Sequence, residues 1–340
     1  MVHQYINNGY HIVLDVNSGA IHVVDEVVYD VIPLFEKHSS EEITGLLREK
    51  YSEEEIREAV EEVAQLKKEG SLFTPDTYEA PLIDFKKRPT VVKALCLHIA
   101  HDCNLACRYC FAEEGEYHGR RALMSYETGK AALDFLIANS GSRRNLEVDF
   151  FGGEPLMNFE VVKQLVAYGR EQEKLHDKHF RFTLTTNGVL LNDDIMEFAN
   201  REMDNVVLSI DGRKEVHDHM RPFRKGAGSY DLIVPKFQKF AKSRNQEKYY
   251  VRGTYTHFNT DFSKDVLHLA DLGFKQISVE PVVAEETDDY AIKEEDLPVL
   301  FKEYDDLAAE MVRRNKAGNG FNFFHFMIDL EGGPCVYKRL

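Results

Sequence analysis

Three cysteines lie within eight residues of one another, in the segment from His101 to Phe111. Cys103, Cys107 and Cys110 have the spacing C-x3-C-x2-C. Three thiolates can each bind one iron of a cubane cluster, whereas clusters that only transfer electrons normally take four. The remaining iron then has an open coordination site, which distinguishes a reactive metal centre from a closed one. The spacing therefore predicts a [4Fe–4S] cluster that can bind a second ligand.

Other roles for these thiols are a structural zinc site, unligated cysteines or another type of cluster. Zinc would need a fourth ligand, and His101 and His118 are nearby in the sequence, but this three-cysteine spacing is unusual for zinc. Disulfides are disfavoured, because the five cysteines are an odd number and the N-terminus lacks the pattern of a secretory signal. Cys96, inside a strand-like run, is expected to be a small buried hydrophobic residue.

A glycine pair directly follows a strand-like run, in the segment Phe151-Gly152-Gly153-Glu154-Pro155. Glycine lets a backbone approach a ligand closely and present its polar groups. The carboxylate of Glu154 can pair with an ammonium group. The segment therefore predicts a ligand contact, with a tight strand-to-helix turn as the alternative.

Two more segments end strand-like runs and carry groups suited to hydrogen bonds with a ribose or a carboxylate. Asn187 lies in the first, TTNG, and Ser209 and Asp211 lie in the second, SIDG. Further along, the guanidinium of Arg221 can bind a carboxylate through two hydrogen bonds. Asn187 and Asp211 are equally compatible with ordinary turn residues, and Arg221 with a surface ion pair.

Strand-like and helix-like runs alternate from residue 91 onwards. The strand-like runs are Val91–Ile99, Leu146–Phe151, Phe180–Thr185, Val206–Ile210, Tyr249–Tyr255 and Gln276–Glu280. Helix-like segments begin near Ser125, Asn158, Asn192, Ser229 and Ser263. Six β/α repeats predict an α/β fold with a parallel sheet and helices on its outside. Rolled into a partial barrel, such a sheet places its chemistry after the strand C-termini; a flat, doubly wound sheet fits the same pattern.

The sequence patterns in the first 80 residues predict a separate small domain. Two strand-like runs, Tyr10–Val16 and Ala20–Asp25, flank a turn-forming Asn17-Ser18-Gly19. Two capping-box pairs then mark the starts of helices: Ser39 with Glu42, and Ser52 with Glu55. A proline-containing linker at 81–90 precedes the barrel, which is predicted to cover 91–320 and to be followed by a short region at 321–340.

Composition limits the choice of partner and location. The chain has 58 acidic and 42 basic residues, for a formal net charge of −16. This charge repels phosphate backbones, so a nucleic acid is a poor candidate partner. No stretch of about 18 apolar residues is present, so we expect no membrane span. A cytoplasmic protein is the resulting expectation.

The cysteine segment resembles the C-x3-C-x-Φ-C signature of the radical S-adenosylmethionine (SAM) superfamily, with Tyr109 as the aromatic residue. The resemblance implies a partial (β/α)6 barrel and a [4Fe–4S] cluster whose open iron binds the methionine moiety of SAM. Cleavage of SAM would then give a 5′-deoxyadenosyl radical that abstracts a substrate hydrogen. It also implies that Tyr109 lies near the adenine, the Gly152 to Glu154 segment at the methionine amino group, and Ser209 and Arg221 at its carboxylate.

Three stretches together, NGYHIVLDVNSGAIHVVD, CNLACRYCFA and SIDGRKEVHDHMRP, resemble the maturases of SCIFF peptides. These radical SAM enzymes install thioether cross-links, from a cysteine sulfur to a carbon of another residue such as threonine, in cysteine-rich ribosomal peptides. The resemblance implies that residues 1–80 form a winged-helix-like domain that binds the precursor peptide by strand addition. It also implies an external electron donor. A sulfatase-maturase-like formylglycine-generating enzyme and a non-catalytic, zinc-stabilised peptide-binding protein are the alternatives.

Members of that group continue into a cysteine-rich SPASM domain with auxiliary iron–sulfur clusters. Cys335 matches the position of the first ligand of that domain, but one thiol cannot hold a cluster. We therefore expect residues 321–340 to be the start of a truncated SPASM region. Auxiliary [4Fe–4S] clusters are expected only in a longer chain, and this one is expected to cleave SAM without completing a cross-link.

Overall fold

The structure is a computed structural model that describes residues 1–76 and 90–327. The described residues belong to two compact units, 1–76 and 90–327. The predicted linker, apart from residue 90, lies outside the described residues, as does Cys335.

The first unit is a three-stranded antiparallel sheet followed by three helices. Its elements are β1 Val2–Asn7, β2 Tyr10–Asp15, β3 Ile21–Val24, α1 Glu26–Phe35, α2 Ser40–Leu47 and α3 Glu53–Lys68. The predicted hairpin is confirmed as β2–β3, and both capping boxes are present at the starts of α2 and α3. Apolar residues from the sheet and the helices form one core, which includes Val13, Val31, Ile56 and Val63. The sequence patterns did not reveal β1 or α1.

The second unit is an α/β domain. Its strands are β4 Ala94–His101, β5 Ala122–Leu123, β6 Asn145–Gly152, β7 His179–Thr186, β8 Asn205–Ser209, β9 Tyr249–Tyr255, β10 Gln276–Pro281 and β11 Asn322–Phe323. Its helices are α4 Tyr126–Asn139, α5 Phe159–His176, α6 Asp193–Glu202, α7 Lys214–Met220, α8 Tyr230–Ser243, α9 Phe262–Asp271 and α10 Leu297–Lys316. All six predicted strands are confirmed as β4 and β6 to β10. The predicted helix starts agree with the structure to within one residue.

The strand order distinguishes a rolled sheet from a doubly wound one. The order is β11-β10-β9-β8-β7-β6-β4-β5, and every pair is parallel except β4–β5. Apart from the short antiparallel β5 at the other edge, successive strands from β4 to β11 are therefore added in the same direction across the sheet. Right-handed crossovers that never reverse direction place all their helices on one face. A doubly wound sheet needs a reversal, so the structure is the predicted partial barrel.

The two faces of the sheet differ in polarity. On β6, Leu146, Val148 and Phe150 are buried in the core that the helices cover, whereas Glu147 and Asp149 alternate with them on the inner face. Cys96 lies on this inner face, in register with Asp149, and is exposed. The prediction of a buried Cys96 was wrong, because the strand alternation assigns Leu97 rather than Cys96 to the core.

Two further observations bear on the predicted limits. β11 pairs in parallel with β10, so the sheet continues beyond residue 320, where the barrel was predicted to end. Within residues 1–76 and 90–327, no helix combines the length and apolarity that a membrane crossing requires.

Candidate active site

A cavity of about 380 Å³ opens at the C-terminal ends of the barrel strands. The three predicted cluster ligands, Cys103, Cys107 and Cys110, line it as free thiols on the loop after β4. In the described part of the chain, no group of three His, Cys, Asp or Glu side chains is arranged to hold a single metal ion. The three thiols around one cavity instead suit a cluster, in which each thiol binds a different iron.

The surroundings of these thiols disfavour bare thiolates. Burial raises the pKa of Cys103 to about 12 and that of Cys107 to about 11. A positively charged iron centre removes this penalty, because a coordinating thiol is deprotonated by the metal. In the same loop the amide nitrogen of Asn104 is buried without a partner among the described residues. A donor of this kind suits the sulfurs of a cluster, so the site fits a [4Fe–4S] cluster held by these three cysteines.

The cysteine loop is attached to the segment that follows α7. The amide of Ala106 donates to the carbonyl of Pro222 at 2.9 Å, and that of Arg108 to the carbonyl of Met220 at 2.9 Å. Arg224 adds side-chain bonds to the same loop. Its guanidinium donates to the carbonyl oxygen of Cys103 at 2.8 and 3.1 Å and to Asp102 at 3.2 Å, and forms a 2.6 Å ion pair with Glu114.

We expect Arg224→Gln to loosen the cysteine loop. Loss of about 1.4 kcal/mol of charge-assisted hydrogen bonding raises the population of open loop about tenfold. The apo-protein should therefore show about tenfold faster alkylation of Cys103, and the reconstituted protein should hold less iron. Lys225→Gln is the matched control, because it removes a neighbouring cation that makes no hydrogen bond or ion pair to the described residues. Equal alkylation rates in Arg224→Gln and Lys225→Gln would show that Arg224 does not hold the cysteine loop in place.

The glycine pair packs against the cysteine loop as well as lining the cavity. A Cβ on Gly153 would lie 2.1 Å from the carbonyl oxygen of Asp102, and one on Gly152 would lie 2.5 Å from that of Ala100. A Cβ on Gly115, beyond the third cysteine, would lie 2.8 Å from the Cα of Gly153. These glycines are therefore required for backbone-to-backbone packing, which brings the segment after β6 next to the loop that carries the three cysteines.

Glu154 does not line the cavity; its side chain is fully buried behind it. Its carboxylate accepts hydrogen bonds from the hydroxyl of Thr186 at 2.7 Å and from the amides of Asn187 at 2.8 Å and Leu156 at 3.0 Å. Burial raises its pKa to about 7 in spite of these donors. In this structure Glu154 thus connects the loops after β6 and β7.

Asn187 and Ser209 both line the cavity, as predicted from their positions at strand ends. The amide nitrogen of Asn187 donates to Asn104 at 2.8 Å and approaches the sulfur of Cys103 at 3.5 Å. Asn187 therefore touches the cysteine loop directly. Ser209 ends β8 on the same rim.

The buried carboxylate of Asp211 accepts hydrogen bonds from three different residues. The hydroxyl of Tyr109 donates to its carboxylate at 2.7 Å, the Nε of Arg221 at 3.0 Å, and the amide of Thr254 at 3.0 Å. The guanidinium of Arg221 also lies 5.3 Å from the centre of the Tyr109 ring. Tyr109 and Arg221 line the cavity while Asp211 lies fully buried outside its lining. Asp211 thus orients two cavity residues.

Comparison with known proteins adds to this geometry. A model of the Radical SAM superfamily matches residues 97–272, just over half of the chain. The chain belongs to the radical SAM superfamily. Membership implies a [4Fe–4S] cluster and SAM, and the cluster supplies the electron that cleaves SAM.

Three relatives show the range of sequence similarity. The chain is 31% identical over 189 residues to an uncharacterized protein of Methanocaldococcus jannaschii, covering 55% of this chain and 62% of the relative. It is 23% identical over 184 residues to the radical SAM cyclopropyl synthase TigE of Paramaledivibacter caminithermalis, covering 50% and 38%. It is 28% identical over 137 residues to the cysteine-type anaerobic sulfatase-maturating enzyme of Clostridium novyi, covering 39% and 36%. The chain thus spans less than two thirds of each relative.

Two solved structures share the fold. The sulfatase-maturase anSMEcpe, with bound AdoMet and Kp18Cys peptide, has a TM-score of 0.59 at 20% identity and covers 68% of this chain and 64% of its own. Streptococcus suis SuiB, bound to the precursor peptide SuiA, has a TM-score of 0.51 at 16% identity and covers 95% of this chain and 70% of its own. At these identities the likeness shows the fold alone.

Sequence reasoning about this radical SAM chain missed several residues at the cavity. Arg252 and Glu280 line it from β9 and β10, and Arg224 holds the cysteine loop. Arg252 and Glu280 occupy inner-face positions, which strand alternation would have marked as polar sites inside the barrel. No comparable signal marked Arg224.

Proposed function

We propose that this chain carries the radical SAM core of an enzyme that installs thioether cross-links in a ribosomally made, cysteine-rich peptide. The link joins a cysteine sulfur to a carbon of an acceptor residue such as threonine. The radical would abstract a hydrogen atom from the acceptor carbon. The cysteine thiol would lose its proton, the sulfur would bond to that carbon, and the remaining electron would pass to an auxiliary iron–sulfur cluster or an external electron acceptor. Residues 103, 107 and 110 would hold the cluster, and the cavity residues Tyr109, Gly152, Gly153, Asn187, Ser209 and Arg221 would contact SAM.

In this proposal, the role of Glu154 and Asp211 is to hold other residues in place. Glu154 holds the loops after β6 and β7 together, and Asp211 orients Tyr109 and Arg221. The protein supplies binding, orientation and exclusion of water, whereas the radical chemistry belongs to the cofactor.

One observation carries the choice of a peptide substrate: the same chain joins a radical SAM cavity to a small unit with an open strand edge. In the first unit β3 pairs with β2 only, among the described residues. Val23 on β3 is 64% exposed. An unpaired edge with exposed apolar side chains suits a peptide that adds a further strand.

Known proteins support a peptide substrate in general terms. SuiB, whose fold match covers 95% of this chain, is described with the precursor peptide SuiA, and anSMEcpe with a peptide. The thioether chemistry rests on the sequence resemblance to SCIFF maturases.

The test is anaerobic incubation with reductant, SAM and the candidate precursor peptide, analysed by mass spectrometry. A thioether gives a loss of two hydrogens per link, and fragmentation places the bond at a cysteine. Formylglycine in the product would favour the sulfatase-maturase reaction. A protein that binds zinc and releases no 5′-deoxyadenosine would be a peptide-binding scaffold. A protein extended by a SPASM domain should be compared, because equal cross-linking by both proteins would contradict a required auxiliary domain.

We expect Val23→Glu to weaken precursor binding about tenfold, because a charge at the edge disfavours an added strand. Ile6→Glu is the matched control, since Ile6 is 60% exposed on β1, the opposite edge of the same sheet. Fluorescence anisotropy with a labelled leader peptide measures both dissociation constants. Weakening by Ile6→Glu alone would place the peptide on the other edge.

A further inference from the structure

A carboxylate lines the active-site cavity on the side of β9 and β10. Glu280 is next to Pro281, the last residue of β10, and both line the cavity together with Arg252 and Thr254. In the sheet order, β9 and β10 are separated by several strands from β4, which precedes the cysteines. The cavity therefore has a second polar side that the cluster ligands do not use.

Glu280 is the first member of a chain of hydrogen-bonded groups. One carboxylate oxygen accepts from the hydroxyl of Ser278 at 2.5 Å, and the other lies 2.7 Å from the Nε2 of His325. The Nδ1 of His325 lies 2.7 Å from the hydroxyl of Tyr304, which lies 3.3 Å from that of Tyr255. A carboxylate that lines a reaction cavity and is held in place by an imidazole has the position of a proton acceptor.

The other acidic groups around the cavity are already engaged. Glu154 is fully buried and accepts from three donors, and Asp211 is paired with Arg221. Glu114 lines the cavity but forms an ion pair with Arg224. Asp149 lies outside the lining. Among the described residues, Glu280 is the carboxylate that both lines the cavity and contacts a histidine.

We propose that Glu280 is the catalytic residue that takes the proton from the substrate cysteine thiol, and that His325 is the positioning residue that holds its carboxylate. This proposal rests on the proposed function, because thioether formation requires that the peptide S–H bond be broken. In the step, the S–H bond breaks, its electron pair stays on sulfur, and the proton bonds to a carboxylate oxygen of Glu280, so the step involves no oxidation or reduction.

The groups around Glu280 keep its carboxylate ionised. Burial acts to raise its pKa, but the hydrogen bonds from Ser278 and His325, with the nearby charge of Arg252, hold the pKa below the usual range. Glu280 therefore enters the step in its charged form, which is the form that can accept a proton.

The test compares Glu280→Gln, His325→Gln and the control Glu285→Gln, which changes an exposed carboxylate five residues along the chain. The readout is the number of cross-links formed per 5′-deoxyadenosine released by a protein extended by a SPASM domain, measured by mass spectrometry with the candidate precursor. Loss of a general base costs about 10²- to 10⁴-fold, so we expect this ratio to fall at least about 100-fold in Glu280→Gln and less in His325→Gln. A precursor with selenocysteine at the linked position, whose selenol is already ionised, should restore the ratio in Glu280→Gln.

Each result decides one point. Wild-type ratios in Glu280→Gln would overturn the assignment of Glu280 while the thioether function stands. A low ratio that selenocysteine does not restore would assign Glu280 a role in shaping the cavity rather than in proton transfer. If a protein extended by a SPASM domain cleaves SAM but links no precursor cysteine, the proposed function and this inference fail together. Iron content and circular dichroism of each variant separate these results from misfolding.

Discussion

Cys107→Ala should reduce the release of 5′-deoxyadenosine to the level of a protein-free control. Cys107 lines the cavity between the other two thiols in sequence, and its removal leaves two ligands for a cluster that needs at least three. Anaerobic reconstitution followed by iron analysis and SAM-cleavage assays measures the effect. We expect the same loss for Cys103→Ala and Cys110→Ala.

The matched control is Cys96→Ala. Cys96 is also a free thiol, but it lies on the inner face of β4 and does not line the cavity. Its replacement should leave iron content and SAM cleavage as in the wild type. A protein that keeps its iron and cleaves SAM without Cys107, or loses both without Cys96, would contradict the assigned ligand set.

Asp211→Asn should have the next largest effect, on both stability and cofactor affinity. The substitution leaves the guanidinium of Arg221, whose side chain is 13% exposed, without its buried counter-ion. Breaking a buried ion pair by removing one partner costs about 3–5 kcal/mol. Arg221 and Tyr109 would also be left with one acceptor oxygen where the carboxylate offered two, so SAM should bind more weakly.

Denaturant unfolding and calorimetric titration with SAM measure the two effects separately. Tyr109→Phe is the graded comparison, because it removes one hydrogen bond to Asp211 and keeps the ion pair with Arg221. It should cost only about 1–2 kcal/mol. An Asp211→Asn protein no less stable than Tyr109→Phe would show that the ion pair does not support the site.

The sequence by itself determined the cluster loop and the order of the barrel. Cys103, Cys107 and Cys110 are so close in the chain that their spacing alone brings them to one loop. The six strands and their helices follow from local periodicity and capping residues, and short parallel β/α repeats leave few ways to assemble. Positions at strand ends, such as Asn187 and Ser209, could be assigned to one rim because parallel strands end together.

Only the tertiary structure determined which groups the individual side chains contact. Glu154 and Asp211 fall in the expected segments, yet they turn away from the cavity to bind Asn187 and Arg221, because a buried carboxylate must have donors wherever they lie. The bonds of Arg224 to Cys103 and of His325 to Glu280 span 121 and 45 residues. Periodicity and spacing give information only about residues that are close in the sequence. Contacts at such separations form only when the strands have assembled into the partial barrel around the cavity.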